Sequence, residues 1–186
     1  MKKERWVCEV RALEENDEMV IEGYAVVFNT PATHGFTEII NENAFNNADM
    51  RDVCLKYNHD DSYLILARTR NNSLLLNVDD KGLKIRAKLI DTQQNKDIYK
   101  MVKEGLLDKM SFGFTVNNES WDYETDTRTV LGIEKLYDVS IVTTPFYDTT
   151  EVYARSQEEF EKEKEQYNKL KLEKAKLKLK LDINSK

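Results

Sequence analysis

A β-rich α+β fold is predicted here: a closed or nearly closed antiparallel β-barrel with a few surrounding helices, followed by a charged C-terminal helix. Three observations lead to it. The first 150 residues contain eight short runs rich in β-branched and aromatic residues, separated by turn signals. One intervening segment has clear helical periodicity. Beyond Arg155, glycine and proline disappear and charged residues dominate. Six to eight strands with one or two interposed helices in about 150 residues suit a barrel-like sheet.

The strand runs, in order, are Trp6 to Leu13, Met19 to Phe28, Val53 to Tyr57, Leu74 to Val78, Leu83 to Leu89, Ser111 to Asn117, Thr127 to Tyr137 and Asp138 to Thr143. Residues Asn41 to Asn47 are a candidate short helix. Asn95 to Lys103 is the clearest helix, with Ile98, Met101 and Val102 on one face. Gly105 follows directly, and glycine commonly closes a helix in the left-handed conformation. Ser156, followed by Glu158 and Glu159, reads as an N-cap with acids in the first turn. A long helix is expected from there, its acids early and its lysines late. Phe160, Tyr167, Leu170, Leu177 and Leu181 fall near a three-to-four spacing, whereas Leu177, Leu179 and Leu181 alternate. Coiled-coil pairing and a solvated helix or frayed tail both fit that pattern. The expected division is a domain over 1–155 and a helical tail over 156–186.

A chain of 186 residues, 40% hydrophobic and 33% charged, can bury one good-sized core under a well-solvated surface. The longest apolar runs, such as Leu64 to Ala67, fall far short of the roughly 20 residues that span a bilayer. The basic start Met1-Lys2-Lys3 is followed by Glu4, Glu9 and Arg11, which interrupt any signal-peptide core. A soluble protein that stays where it is made is the expectation. Cys8 and Cys54 form no CxxC pair and are expected to be reduced, buried thiols. The net charge of −6 divides unevenly, −8 over residues 1–150 and +2 over 151–186. An acidic body gains no long-range attraction to phosphate backbones, so a protein partner fits better than nucleic acid.

Only two histidines are present, so imidazole chemistry must use His34 or His59. His59 follows the Val53 to Tyr57 run and precedes Asp60 and Asp61, a strand end where a side chain is both positioned and accessible. His34 lies in Thr30-Pro31-Ala32-Thr33-His34-Gly35, which reads as an exposed loop. Ser111 opens a strand in Lys109-Met110-Ser111-Phe112-Gly113-Phe114. A serine becomes a nucleophile when a base takes its proton and a third group orients that base. Asp138, an acid within an apolar strand, is a candidate orienter. Each of these residues also has an ordinary reading: a packing histidine, a strand-opening serine, an outward-facing strand acid. No metal-ligand spacing and no phosphate-cradling glycine loop occurs, so neither metal nor cofactor is expected.

Several segments, in order, resemble the tailed-phage prohead (procapsid) maturation protease family, whose barrel is similar to that of the herpesvirus assembly proteases. They are Ile21 to Asn29, Glu38-Ile39-Ile40 with Ala44-Phe45, Val53 to Asp60, Asp79 to Leu83, Gly105 to Phe114, and Leu136 to Pro145. Together they span roughly residues 20 to 155. The resemblance implies a serine endopeptidase with His59 as base, Ser111 as nucleophile and Asp138 as third member, where the family commonly has a longer glutamate. Asn41-Glu42-Asn43 also departs from the proline-glycine pair that often precedes the alanine-phenylalanine. The implied substrates are the scaffold protein or the scaffold segment of the major capsid protein, and the protease itself, inside the assembling prohead in the host cytoplasm. A homodimer is implied by the herpesvirus analogy. The rival readings are a non-catalytic capsid-assembly factor that keeps the fold, and a metal-dependent hydrolase using His59 with Asp60 or Asp61.

Overall fold

A computed structural model of the chain describes residues 10–15, 18–34, 36–62, 64–143 and 151–184. The elements in chain order are β1 (Val10–Glu15), β2 (Glu18–Val27), β3 (Ala32–His34), β4 (Phe36–Ile40), β5 (Cys54–Tyr57), β6 (Ala67–Arg68), β7 (Leu74–Val78), β8 (Gly82–Leu89), α1 (Gln93–Lys103), β9 (Lys109–Asp122), β10 (Thr127–Val142) and α2 (Glu151–Asn184). The β-rich α+β expectation therefore stands at that level. Strands β3, β4 and β6 carried no separate expectation, and His34, read from sequence as a loop residue, has its backbone in β3 paired with Phe36. The two runs split at Tyr137 are one continuous strand, β10.

The strands form two sheets. One is antiparallel in the order β1-β2-β8-β7; the other runs β3-β4-β10-β5-β6, with β9 also paired to β10. No ladder closing these sheets into a single barrel is found among the described residues. Nor is the pairing antiparallel throughout: Thr37 to Ile40 of β4 lie parallel to Thr127 to Val130, and Cys54 to Tyr57 of β5 lie parallel to Asp138 to Ile141. Parallel partners need a long crossover, which the 69 residues between Tyr57 and Thr127 supply. Period-two patterning reports a strand without naming its partner, so this ladder lay beyond the reach of local signals.

Strand β8 shows how the core forms: Leu83, Ile85, Ala87 and Leu89 are buried in alternation, as a half-buried strand requires. They join Leu55, Val53, Ile133, Leu136, Val139 and Ile141 in one cluster. Helix α1 adds Ile98 and Val102. Thr92 caps it, its Oγ1 accepting a hydrogen bond from the Asn95 N–H at 3.2 Å, and Gly105 at φ 72 follows its end. The expected helix over Asn41 to Asn47 is instead a series of turns, Ala44 N–H to Asn41 O, Asn46 N–H to Asn43 O and Ala48 N–H to Phe45 O. Four asparagines lie in this stretch, and such side chains compete for backbone groups, as the Asn43 N–H bond to Asn41 Oδ1 illustrates. Arg128 of β10, largely buried, ties two neighbouring strands together by pairing with Glu38 of β4 at 2.8 Å and with Glu119 of β9.

Packing divides the chain into two units, Met1–Trp121 with Thr127–Phe146, and Asp122–Asp126 with Tyr147–Lys186. In the second unit, the turn between β9 and β10 docks on α2. Tyr123 donates its hydroxyl to Glu163 at 2.8 Å, Lys164 pairs with Asp126 at 2.7 Å, and Glu124 takes both Tyr167 at 3.2 Å and Lys171 at 2.5 Å. The Tyr123 and Tyr167 rings lie 5.4 Å apart. Residues 163, 164, 167 and 171 fall on one helix face, so this turn reads a single stripe of α2. Helix α2 covers Glu151–Asn184, so Ser156 lies within it and does not cap it. No described helix is long and apolar enough to cross a membrane. Cys54 is a free thiol, half-buried where full burial was expected; Cys8 lies outside the described residues.

Candidate active site

The site is built where β5 ends beside β10. Their parallel register sets Cys54 opposite Asp138 and Lys56 opposite Ser140, and the Asn58 N–H continues the ladder to Ile141 O at 2.9 Å. The chain then turns sharply. The Asp60 N–H bonds Tyr57 O at 3.0 Å, and both central residues, Asn58 at φ 51 and His59 at φ 56, are left-handed. Two positive φ values in succession mark a type I′ turn. Asparagine and histidine tolerate this region better than most residues. Asn58 also anchors the turn, its Oδ1 accepting bonds from the Thr143 N–H at 3.0 Å and the Thr143 hydroxyl at 3.4 Å.

That turn delivers the His59 ring to Asp138. Nδ1 lies 2.6 Å from Asp138 Oδ1, with the histidine side chain 37% exposed and the aspartate side chain 10% exposed. Burial raises the Asp138 pKa, but the His59 hydrogen bond and charge, the Ser140 hydroxyl and the Lys56 charge outweigh it and hold the carboxyl below its ordinary value. An ionised Asp138 can only accept, so the Nδ1 proton points to it, and in the neutral form of the ring Nε2 holds the lone pair. Lys56 stands 4.0 Å from Asp138 Oδ2 and 2.5 Å from Asp61 Oδ1. Burial favours loss of the lysine proton, yet these two carboxylates raise its pKa.

Ser111 sits near the start of β9, 8% exposed. Two residues on, the Gly113 backbone presses against Asp138: a Cβ there would stand 2.6 Å from Oδ2. Alternate residues share a strand face, so Ser111 belongs to the same face as Gly113. Met110, Phe112 and Phe114 pack in and against the core on the opposite parity, the two rings stacked at 4.5 Å. The structure thus brings His59 and Asp138 into direct contact and sets Ser111 on the adjoining strand, where its hydroxyl makes no hydrogen bond among the described residues. Asp60 and Asp61 serve local roles: Asp60 accepts from the Ser62 N–H and hydroxyl, and Asp61 pairs with Lys56.

Three residues of the site went unassigned in the sequence reading. Ser140 is fully buried, donates to Asp138 Oδ1 at 2.8 Å and accepts from the His59 backbone N–H at 3.3 Å. Its spacing of two from Asp138 placed it on the same strand face, the one signal that pointed to it. Lys56 and Gly113 had no such signal, because their roles depend on which strands pair.

An imidazole bonded to a carboxylate, with no hydrogen bond at its second nitrogen among the described residues, beside a strand that carries a serine, is the chemical set of a serine hydrolase. The comparisons narrow this class. The family described as caudovirus prohead serine protease matches residues 7–165, and the chain belongs to that family. A relative, the prohead protease of Enterobacteria phage HK97, is 28% identical over 141 residues, 74% of this chain and 60% of that protein. The chain therefore spans about 60% of the length of the curated relative it matches. No solved structure matches it.

Proposed function

We propose that this chain is a capsid-maturation serine endopeptidase of a tailed phage, with Ser111 as nucleophile, His59 as general base and Asp138 as the group that orients and charges against His59. The observation that carries the reading is the His59 Nδ1 to Asp138 Oδ1 bond at 2.6 Å, which commits Nδ1 and leaves Nε2 available to a hydroxyl. In the first half-reaction, His59 Nε2 takes the Ser111 proton as Oγ attacks the substrate carbonyl carbon. The tetrahedral intermediate collapses, the C–N bond breaks, and His59 returns its proton to the leaving amine. Water then enters, gives a proton to His59, attacks the acyl carbon and releases the new carboxyl terminus while Ser111 recovers its hydrogen. Asp138 stays ionised throughout and stabilises the imidazolium formed in each half.

The family and the HK97 relative support a protease of the prohead; in this reading its substrates are the scaffold protein or the scaffold segment of the major capsid protein, and the protease itself. The work would take place inside the assembling prohead. Residues 1–155 carry the chemistry in this reading. The charged tail over 156–186 recruits the enzyme by pairing with scaffold helices and is removed by self-cleavage. Against it stands a non-catalytic assembly factor, favoured by the absence of a Ser111 to His59 hydrogen bond among the described residues. Intact-mass measurement of wild type and Ser111→Ala, each with capsid and scaffold protein, separates the two. Cleavage by wild type alone supports the protease; equal, uncleaved masses from folded proteins support the assembly factor.

A further inference from the structure

Ser140 contacts the His59 ring directly, and it is used in a different way from Ser111. Its Oγ is 3.2 Å from Nδ1, 2.8 Å from Asp138 Oδ1 and 3.3 Å from the His59 backbone nitrogen. A hydroxyl has one proton to donate and two lone pairs. The ionised Asp138 oxygen takes that proton, one lone pair receives the His59 N–H, and the other faces the Nδ1–H that is shared with Asp138. All three capacities are filled. Ser140 is wholly inaccessible and faces the committed nitrogen of the ring, so it is no rival nucleophile. What remains for it is to fasten the ring, the carboxylate and the backbone of the His59 turn to one point.

That turn has reason to need fastening. Asn58 and His59 are both left-handed without being glycine, and each such residue carries a backbone cost that its surroundings must offset. The Asn58 side chain secures the first of them to Thr143. The His59 N–H, in the middle of the turn, bonds the Ser140 hydroxyl. Ser140 is also opposite Lys56 in the β5–β10 register, so the strand pairing that seats the turn seats this hydroxyl too.

We propose that Ser140 is the positioning residue of the site, holding the His59 turn and the Nδ1–H tautomer against Asp138 so that Nε2 is presented to Ser111. Its value for turnover rests on the serine-protease reading; its hold on the ring does not.

The test therefore has two readouts on the full chain. Ring-nitrogen NMR is recorded in a Ser111→Ala background, where only two histidines contribute and self-cleavage is silenced. With Ser140 present, the neutral form of His59 is the Nδ1–H tautomer; Ser140→Ala gives mixed tautomers, and Ser140→Thr restores the single form. In the Ser111-containing chain, Ser140→Ala lowers kcat about 10-fold to 100-fold with KM unchanged, as small misplacements of a reacting group do, and Ser140→Thr recovers most of it. Ring signals and kcat that are both unchanged in Ser140→Ala overturn the proposal, and so does a folded Ser140→Thr as impaired as the alanine variant. Should Ser140→Ala not fold, Ser140→Cys keeps the volume with a weaker donor and is judged by the same two readouts. If the Ser111→Ala chain itself still cleaves, the protease reading falls, while the NMR result continues to decide the role of Ser140.

Discussion

The Gly113 backbone meets the Asp138 carboxylate so closely that a single added carbon would lie 2.6 Å from Oδ2. The obstructing atom is the end of a side chain, so the fold can accommodate a methyl group by moving the carboxylate. In the proposed mechanism the site cannot, because that carboxylate is the one bonded to His59 Nδ1. Gly113→Ala is expected to fold with a melting temperature close to that of wild type and to lose activity on the order of 100-fold. Circular dichroism and cleavage of the proposed capsid substrate check this; a fully active Gly113→Ala chain contradicts it.

Asp138→Asn replaces an acceptor-only group with one that can donate, which permits the wrong His59 tautomer. The expected loss in kcat is on the order of 10,000-fold, the size seen when a triad aspartate is so replaced in an unrelated serine protease. Residual cleavage at wild-type rates would remove Asp138 from the mechanism.

Asp138 also makes stability depend on pH. Its folded-state pKa is depressed below the ordinary aspartate value of about 3.9, so the unfolded chain binds its proton first as pH falls. The stabilisation is complete above that value and drains away as pH drops through the folded-state pKa. Melting temperatures measured from pH 6 down to about pH 2 should fall more steeply for wild type than for Asp138→Asn, which has no carboxyl to protonate at this position. Parallel curves would show that the His59 contact contributes nothing to the acid limb.

Asn58 tests the turn itself. Asn58→Ala keeps a Cβ in the left-handed region and removes both bonds to Thr143, for an expected destabilisation of about 1–3 kcal/mol in chemical denaturation. Asn58→Gly removes the same bonds but relieves the backbone, so it should be the milder of the two. The reverse order would mean that the left-handed turn carries no strain.

The tail helix offers a separate measurement. Glu124 accepts from Tyr167 and Lys171 at the docking turn of the second unit. Glu124→Ala should speed amide hydrogen exchange in the middle of α2, around residues 163 to 171, and high salt should have a similar effect on the wild type, since these ion pairs are exposed. Exchange unaltered by either would show that the helix stands without the turn.

How much of this was legible beforehand follows the range of each interaction. The runs at Leu74 to Val78 and Leu83 to Leu89 became β7 and β8 almost residue for residue, and Asn95 to Lys103 became most of α1. Alternation, helical spacing and the glycine after the helix act within a few residues, so a linear string carries them. His59 was preferred to His34 for its place after a strand, and Ser111 and Asp138 stood out as a strand-opening serine and an acid in an apolar strand; the ordered resemblance of whole segments assigned their roles.

The contacts that make the site answer to a longer range. His59 and Asp138 are 79 positions apart, and Ser140 reaches back 81 positions to the His59 N–H. Both contacts exist because β5 pairs parallel with β10 in one register, Cys54 against Asp138; a slip of one residue would turn Asp138 and Ser140 to the other face. Residue types and local periodicity sufficed to name most of the longer strands and the candidate groups. Which strand lies beside which, and hence that Gly113, Lys56 and Ser140 surround one carboxylate, is settled only when the whole core packs, because a strand's hydrogen-bonding edges are the same in every strand and carry no address.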